Sequence, residues 1–351
     1  MNVLLFLFIL TAPVLYEGRY RPLETVPEGE SYETLQVENY KELAGTIYIQ
    51  AEGKALTYPT LGQLKAELVL YTFPFKWIIL STYLLTILFL LIRPKIGWVF
   101  LFFGICLHSL ALGLRCYVLH RPPVSNMTET LLYVPWIAVC VGMCFYKQKS
   151  ALIASLISAI FLLFLLPNQI SLENVQAVLD SHYWLIVHVL MVVGSYGVFC
   201  VAGVCGHIFL LQKHPSALLE KTMIQTLYLG TALLITGTLL GGVWAAESWG
   251  RFWDWDPKEA WAFVSSGTYL LGIHAYRFKK ISGYGLAIGS IIGLMAITFT
   301  WYGVNYILGS GLHSYGFGHG GELFYYLYLA AEILFLSVIF LKKLIYKNSQ
   351  D

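Results

Sequence analysis

The sequence predicts an all-α fold, a polytopic membrane helix bundle of about nine or ten transmembrane helices, and three observations carry that prediction. Hydrophobic residues make up 58% of the chain and charged residues only 12%, a balance that soluble domains do not show. Nine long apolar segments recur, at about 76–93, 97–119, 129–146, 151–166, 184–211, 223–244, 259–276, 283–307 and 322–341. Most have the roughly 20 residues needed to cross about 30 Å of hydrocarbon. The short connections between them alternate in charge, which orients the whole set.

Taken in order, residues 1–16 (MNVLLFLFILTAPVLY) are apolar but lack a basic start, and they are read as a tenth helix or an uncleaved anchor. Residues 17–75 form the only long polar stretch, too short for a large core and partly extended in TIYIQAEGKALTY. They are expected to form a small extracytoplasmic segment. Residues 76–341 read as one membrane-embedded domain, and 342–351 as a cytoplasmic tail.

One set of connections holds Arg93, Lys95, Lys147, Lys149, Lys213, Lys221, Arg277, Lys279, Lys280, Lys342, Lys343 and Lys347, with Glu220 and Asp351 the only acids. The opposite set holds Arg115, Arg121, Arg251 and Lys258 among seven acids, including Glu129, Glu247, Asp254, Asp256 and Glu259. The first set is therefore cytoplasmic. A formal net charge of +2 points to no polyanionic partner, so no nucleic acid is expected. The six cysteines contain no Cys-x-x-Cys pair, which argues against a disulfide framework, a zinc site or a dithiol redox motif.

The segment most in need of a functional explanation is the outer loop 244–261, WAAESWGRFWDWDPKEAW, which carries Trp244, Trp249, Trp253, Trp255 and Trp261, half of the ten tryptophans. One or two would serve as interface anchors. Five, mixed with Arg251, Asp254, Asp256, Lys258 and Glu259, suit a flat aromatic platform for a large planar ligand with a wet polar edge, such as a porphyrin. Iron in a porphyrin takes axial ligands, commonly His. His188, about a turn inside the outer end of its helix, and His313, in the outer loop GLHSYG, both reach the depth of the tryptophan loop.

His274 lies some 15 residues down its helix, roughly 22 Å from the outer end, and is either an intramembrane ligand or a packing residue. His108 and His207 stand as alternatives for a second inner ligand, while His120, His182, His214 and His319 read as ordinary surface residues. Two readings stand for Arg251 and Lys258. They pair with propionates, or Lys258 balances Asp256 and Glu259 at the start of the next helix, where Pro257 suits the first position.

At this point WGRFWDWDPKEAW resembles the tryptophan-rich WWD signature of the CcsA/CcmC/CcmF haem-handling proteins of cytochrome c biogenesis. WLIVHVLMVVGSYGVF and GVNYILGSGLHSYG resemble the CcsA (ResC) family of System II, as does RPPVSNMTETL, with Thr128 where an aromatic is usual. The resemblance covers about residues 65–341, and length and helix count favour CcsA over the shorter CcmC and the longer CcmF. It implies a cytochrome c haem lyase component (holocytochrome c synthase) that binds haem b at the outer face. There haem is presented for thioether attachment to the Cys-x-x-Cys-His motif of apocytochrome c.

It further implies that His188 and His313 ligate the outer iron, that His274 ligates intramembrane haem, and that Trp244, Trp249, Trp253, Trp255, Asp256 and Arg251 line the cofactor site. A CcsB-type membrane subunit and thiol-reducing proteins are the implied partners. The bacterial cytoplasmic membrane or the thylakoid membrane is the implied location, with the WWD loop and residues 17–75 on the outer side. Two rival classes remain: a membrane cytochrome b, which would stack His pairs on the same two helices, and a solute transporter, which would show broken helices and internal repeats.

Overall fold

A computed structural model describes residues 60–167, 182–308 and 321–348, together with six short strands and a few flanking residues between 14 and 58. The strands form two antiparallel three-stranded sheets: β1 (Val14–Tyr16), β2 (Arg19–Arg21) and β3 (Glu33–Thr34) in the order β2-β1-β3, then β4 (Tyr40–Leu43), β5 (Thr46–Ala51) and β6 (Lys54–Tyr58) in sequence order. Register in the second sheet runs from Ile47↔Tyr58 to Ala51↔Lys54, within the segment expected to be extended. Val14–Tyr16, the end of the expected tenth helix, is strand. Residues 1–13 lie outside the described residues.

The polar stretch also contains a helix not anticipated from composition, α1 (Leu61–Thr72). It starts at a capping box: Thr60 Oγ1 accepts from the Gln63 amide at 3.3 Å, and the Gln63 side chain accepts from the Thr60 amide at 2.8 Å. Leu64 and Leu68 are buried on it.

All nine apolar segments are helical: α2 (Phe75–Ile92), α3 (Pro94–Leu119), α4 (Met127–Cys144), α5 (Lys149–Leu165), a composite of α6 (His182–Trp184), π1 (Leu185–Val189) and α7 (Leu190–Leu211), then α8 (Ala217–Trp249), α9 (Pro257–Arg277), a composite of α10 (Gly283–Thr298) and π2 (Phe299–Leu308), and α11 (Glu322–Asn348). Seven are long and apolar enough to cross a membrane. The others fall short for different reasons. α5 has 17 residues, about 25 Å at 1.5 Å per residue. α9 has 21 residues but carries Lys258, Glu259, Ser265, Ser266, Thr268 and His274. α11 continues through Asn348, so most of the expected tail is helix.

α7 is the central helix and α11 the peripheral one, with 72% and 17% of their apolar windows buried. Small residues let α7 sit close to its neighbours: a Cβ at Gly197 would lie 2.7 Å from the Val134 carbonyl oxygen of α4, and one at Gly206 would lie 2.8 Å from the Ala287 carbonyl oxygen of α10. Backbone approach of this kind drives helix packing where lipid removes the hydrophobic term. α11 is held instead by polar contacts, with Glu332 Oε2 2.8 Å from His207 Nε2 of α7 and the Tyr325 hydroxyl donating to the Met295 carbonyl at 3.2 Å.

Three charges expected in short loops are buried. Arg115, Arg121 and Glu129 are 2%, 6% and 0% exposed. Glu129 accepts from Arg121 Nη1 at 2.9 Å and Nη2 at 3.3 Å, and from the Ser125 amide at 2.9 Å. These bonds offset the desolvation of the carboxylate at the start of α4.

Candidate functional site

The tryptophan loop is shorter than the sequence suggests. α8 runs on to Trp249 and ends at Gly250, whose φ of +74° is the left-handed conformation that stops a helix, with its amide donating to the Ala246 carbonyl. α9 begins at Pro257. Asp256 Oδ1 accepts from the Lys258 amide at 2.8 Å, and Glu259 Oε2 reaches back to the amides of Asp256 at 3.3 Å and Asp254 at 2.9 Å. Trp244 and Trp249 are therefore on α8 and Trp261 on α9, and the connection itself spans only 250–256. Trp255 sits at φ +58°, a conformation that costs a bulky residue free energy and marks this turn for functional scrutiny.

The five indoles do not form one flat ledge. Trp253 and Trp255 stand edge to face, with ring centres 5.8 Å apart and planes at 85°. Trp255 is 69% exposed, while Trp253 is turned inward. Trp244 presents an edge to His188 at 5.9 Å, and Trp261 packs on Phe299 of π2 at 4.1 Å. Two residues of the connection, Gly250 and Trp255, are left-handed, and the other three tryptophans lie on α8 and α9, a distribution that composition alone does not reveal.

His188 lies in π1, a wide turn of the kind often found at functional sites. Its ring lies against α8. Nδ1 is 2.7 Å from the Gly237 carbonyl oxygen, and because a carbonyl only accepts, Nδ1 carries the proton and Nε2 is the lone-pair nitrogen, the form that ligates iron. Gly241 makes room: a Cβ there would lie 2.4 Å from the imidazole Cε1. One turn before His188, the Trp184 indole N–H donates to Glu247 Oε2 at 2.8 Å. Gly237, Gly241, Trp244 and Glu247 recur at helical spacing, so a single stripe of α8 receives the whole His188 segment.

Beside this stripe is a cleft holding about 510 Å³ of space free of atoms, part of it open to solvent. His188, Trp253, Lys258, Glu259, Tyr196 and Thr300 are among the residues lining it. The Trp253 indole nitrogen is buried with no hydrogen-bond partner among the described residues, a donor awaiting an acceptor. Glu259 and Asp256 use their carboxylates to cap α9, and no ion pair to Lys258 is present among the described residues, so its ammonium lines the cleft. Arg251 instead bonds Asp254 at 2.7 Å on the exposed surface.

Among the described residues no three His, Cys, Asp or Glu side chains group as metal ligands would. A haem brings its own ring nitrogens and asks a protein only for axial ligands and partners for its propionates. The donor set fits: a neutral imidazole nitrogen, an unpaired indole N–H and a lysine for carboxylates. Asp256 caps α9, and Trp249 is the last residue of α8. His313 lies outside the described residues.

The intramembrane histidines separate clearly. His108 is wholly buried, its Nε2–H donating to the Leu132 carbonyl at 2.8 Å and its Nδ1 accepting from the Tyr83 hydroxyl at 3.0 Å. His207 Nδ1–H donates to the Gly203 carbonyl at 2.8 Å while Nε2 meets Glu332. Neither has a nitrogen to spare for a metal. His274 faces out of the bundle from α9, with Nδ1–H donating to the Leu270 carbonyl at 2.7 Å.

Sequence reasoning missed Trp184, Glu247, Gly237 and Gly241. The Gly-Gly step at 241–242 inside an apolar helix, three residues ahead of Trp244, was a readable sign of close approach by another group.

Comparison with known proteins places these features in context. Residues 124–313 match the model of the family described as cytochrome C assembly protein. The chain is 37% identical over 239 residues to Protein NrfI of Wolinella succinogenes, covering 64% of this chain and 26% of that protein. It is 31% identical over 216 residues to cytochrome c biogenesis protein CcsA of Chlamydomonas reinhardtii, covering 56% of this chain and 61% of that one. Against CcsA of Prochlorococcus marinus strain SARG it is 28% identical over 239 residues, 55% of this chain and 75% of that one.

Proposed function

Because the chain belongs to the cytochrome C assembly protein family, we propose that it binds haem b in the His188 cleft. From there it presents haem at the non-cytoplasmic face for covalent attachment to the Cys-x-x-Cys-His motif of apocytochrome c. The observation that carries this reading is the docking of His188 on α8: the bond from Nδ1–H to the Gly237 carbonyl leaves Nε2 as the lone-pair nitrogen of a residue lining the cleft.

Haem is the substrate and brings two vinyl groups. In each addition an acceptor thiol forms a carbon–sulfur bond to one vinyl carbon while the proton ends on the other, so no external oxidant or reductant is consumed. The protein's part is positioning. His188 and His313 hold the iron from its two faces, Trp253 packs on the ring, Lys258 meets a propionate, and Trp255, exposed at the rim, borders the place where the acceptor peptide arrives. Bringing thiol and vinyl together in one geometry lowers the barrier by removing the entropy cost of encounter, an effect worth several kcal/mol.

His274 is the intramembrane ligand in this reading. Its outward ring suits a second ligand supplied by another chain, in keeping with a CcsB-type subunit, since His108 and His207 have both nitrogens engaged. The host is a bacterial cytoplasmic or thylakoid membrane with the tryptophan loop outside, and thiol-reducing proteins keep the acceptor cysteines reduced.

The test is co-expression with a CcsB-type partner and a Cys-x-x-Cys-His reporter, scored for covalent haem. Wild type should yield holocytochrome, and His188→Ala should yield none and lower the haem absorbance of the purified protein by the share bound at the outer site. Full haem retention in that variant would remove the basis of the proposal. A membrane cytochrome b would keep haem yet leave the reporter unmodified.

A further inference from the structure

The connection between α8 and α9 has fixed ends. Gly250 stops the first helix, and Asp256 with Glu259 caps the second, which leaves residues 251–255 between them. A ring from the middle of that span returns to α8. A Cβ at Gly242 would lie 2.5 Å from Cζ of the Phe252 ring, 2.7 Å from Cε2 and 2.8 Å from Cε1, so the ring tip rests on the bare backbone of that glycine. From Gly242 to the end of the helix at Gly250 is about 12 Å at 1.5 Å per residue. The chain therefore reverses at Gly250, and Phe252 points back along more than two turns of α8.

The neighbouring glycine seats a different ring. A Cβ at Gly241 would meet the His188 imidazole, whose Nδ1 is bonded to the Gly237 carbonyl. Consecutive residues of a helix point about 100° apart and differ by about 1.5 Å in height. His188 and Phe252 thus reach one step of α8 from adjacent directions. Gly241 and Gly242 both line the cleft, together with Trp253, the residue that follows Phe252. The body of the Phe252 ring stays outside the packed core, with the residue 45% exposed, so what it contributes is the fixed point where its tip sits.

On the reading that haem sits at His188, we propose that Phe252 is a positioning residue for haem attachment. Its seat on Gly242 sets the tryptophan loop against the same step of α8 that seats the His188 ring, which holds Trp253 and the iron ligand in one register. Phe252 acts through the loop and not on the iron. A loop shifted by about an ångström would leave haem bound through His188 yet misplace the vinyl edge that the thiol must meet, a displacement to which such reactions are steeply sensitive.

The test separates haem occupancy from attachment, in the co-expression system with the Cys-x-x-Cys-His reporter. Phe252→Ala and Gly242→Ala should each keep haem absorbance within about two-fold of wild type while lowering covalent haem on the reporter about ten-fold. Gly242→Ala combined with Phe252→Leu should recover most of that loss, because Leu lacks the three ring atoms that the new methyl would meet. Equal loss of haem and attachment in the single variants would overturn the proposal, since Phe252 would then belong to the iron site, and so would unchanged attachment in both. Hydrogen–deuterium exchange of the purified full chain reads the loop without haem: amides of 250–256 should exchange faster in Phe252→Ala than in wild type, while those of α8 before Gly242 keep their rate. Unchanged exchange in the loop would overturn the proposal with the haem reading intact. A wild-type chain that binds no haem would overturn that reading, and exchange would still decide whether the ring holds the loop.

Discussion

His188 and His207 stand at opposite ends of the same helical run, yet their surroundings give them opposite chemistry. At one end the imidazole lies in a π turn on a glycine stripe of α8, with one nitrogen bonded to a backbone carbonyl and the ring lining a cleft. At the other the ring is bonded at both nitrogens, to Gly203 and to Glu332 of α11. The difference teaches that two histidines of one helical run are told apart by the tautomer their partners impose and by the space the ring faces.

The strongest way to break the comparison is to truncate each ring in turn. His188→Gly should remove the share of co-purifying haem bound at the outer site, with partial recovery when imidazole is supplied in the buffer, whereas His207→Ala should keep haem and lower stability. Haem absorbance and a thermal unfolding curve on the same preparations separate the two, and haem loss in His207→Ala alone would reverse the assignment.

A step smaller is Gly241→Ala, whose added methyl would meet the His188 ring. The helix should persist, since Ala is the better helix former. Haem occupancy should fall roughly ten-fold, about 1.4 kcal/mol of binding, as the ring is pushed off the Gly237 carbonyl. Wild-type occupancy in this variant would mean that the ring position is immaterial.

Smaller again is the anchor of α11. Glu332→Ala removes the partner of His207 and should cost about 1 kcal/mol, in the range measured for hydrogen bonds between membrane helices, while Glu332→Gln keeps an acceptor and should cost less. Equal losses in the two variants would show that the hydrogen bond is not what holds α11.

The smallest effect is expected at Arg251. Its pair with Asp254 is exposed, so Arg251→Ala should change haem affinity less than about two-fold. A Lys258→Ala variant titrated in parallel should lose more. Should the order reverse, Arg251 rather than Lys258 is the propionate partner.

Much of the fold was legible in the chain. Apolar runs located the nine apolar helical segments though not α1, because a bilayer demands length and apolar composition of any segment crossing it. The tryptophan ledge was misjudged because whether neighbouring indoles share a plane depends on φ at Trp255 and on where α8 stops, and both follow from capping at Gly250 and Asp256. Arg115, Arg121 and Glu129 read as loop charges because their mutual pairing is invisible until α3 and α4 are placed side by side.

By itself, then, the amino-acid order determined membrane insertion, the helix positions and the short list of histidines, since each depends on residues close together in the chain. Only the tertiary structure decided what each of those histidines is bonded to, because the partners, Gly237 for His188, Leu132 for His108 and Glu332 for His207, come from helices 24 to 125 residues away in sequence. Hydrogen bonds across such separations are set by how helices pack, and packing is a property of the whole bundle.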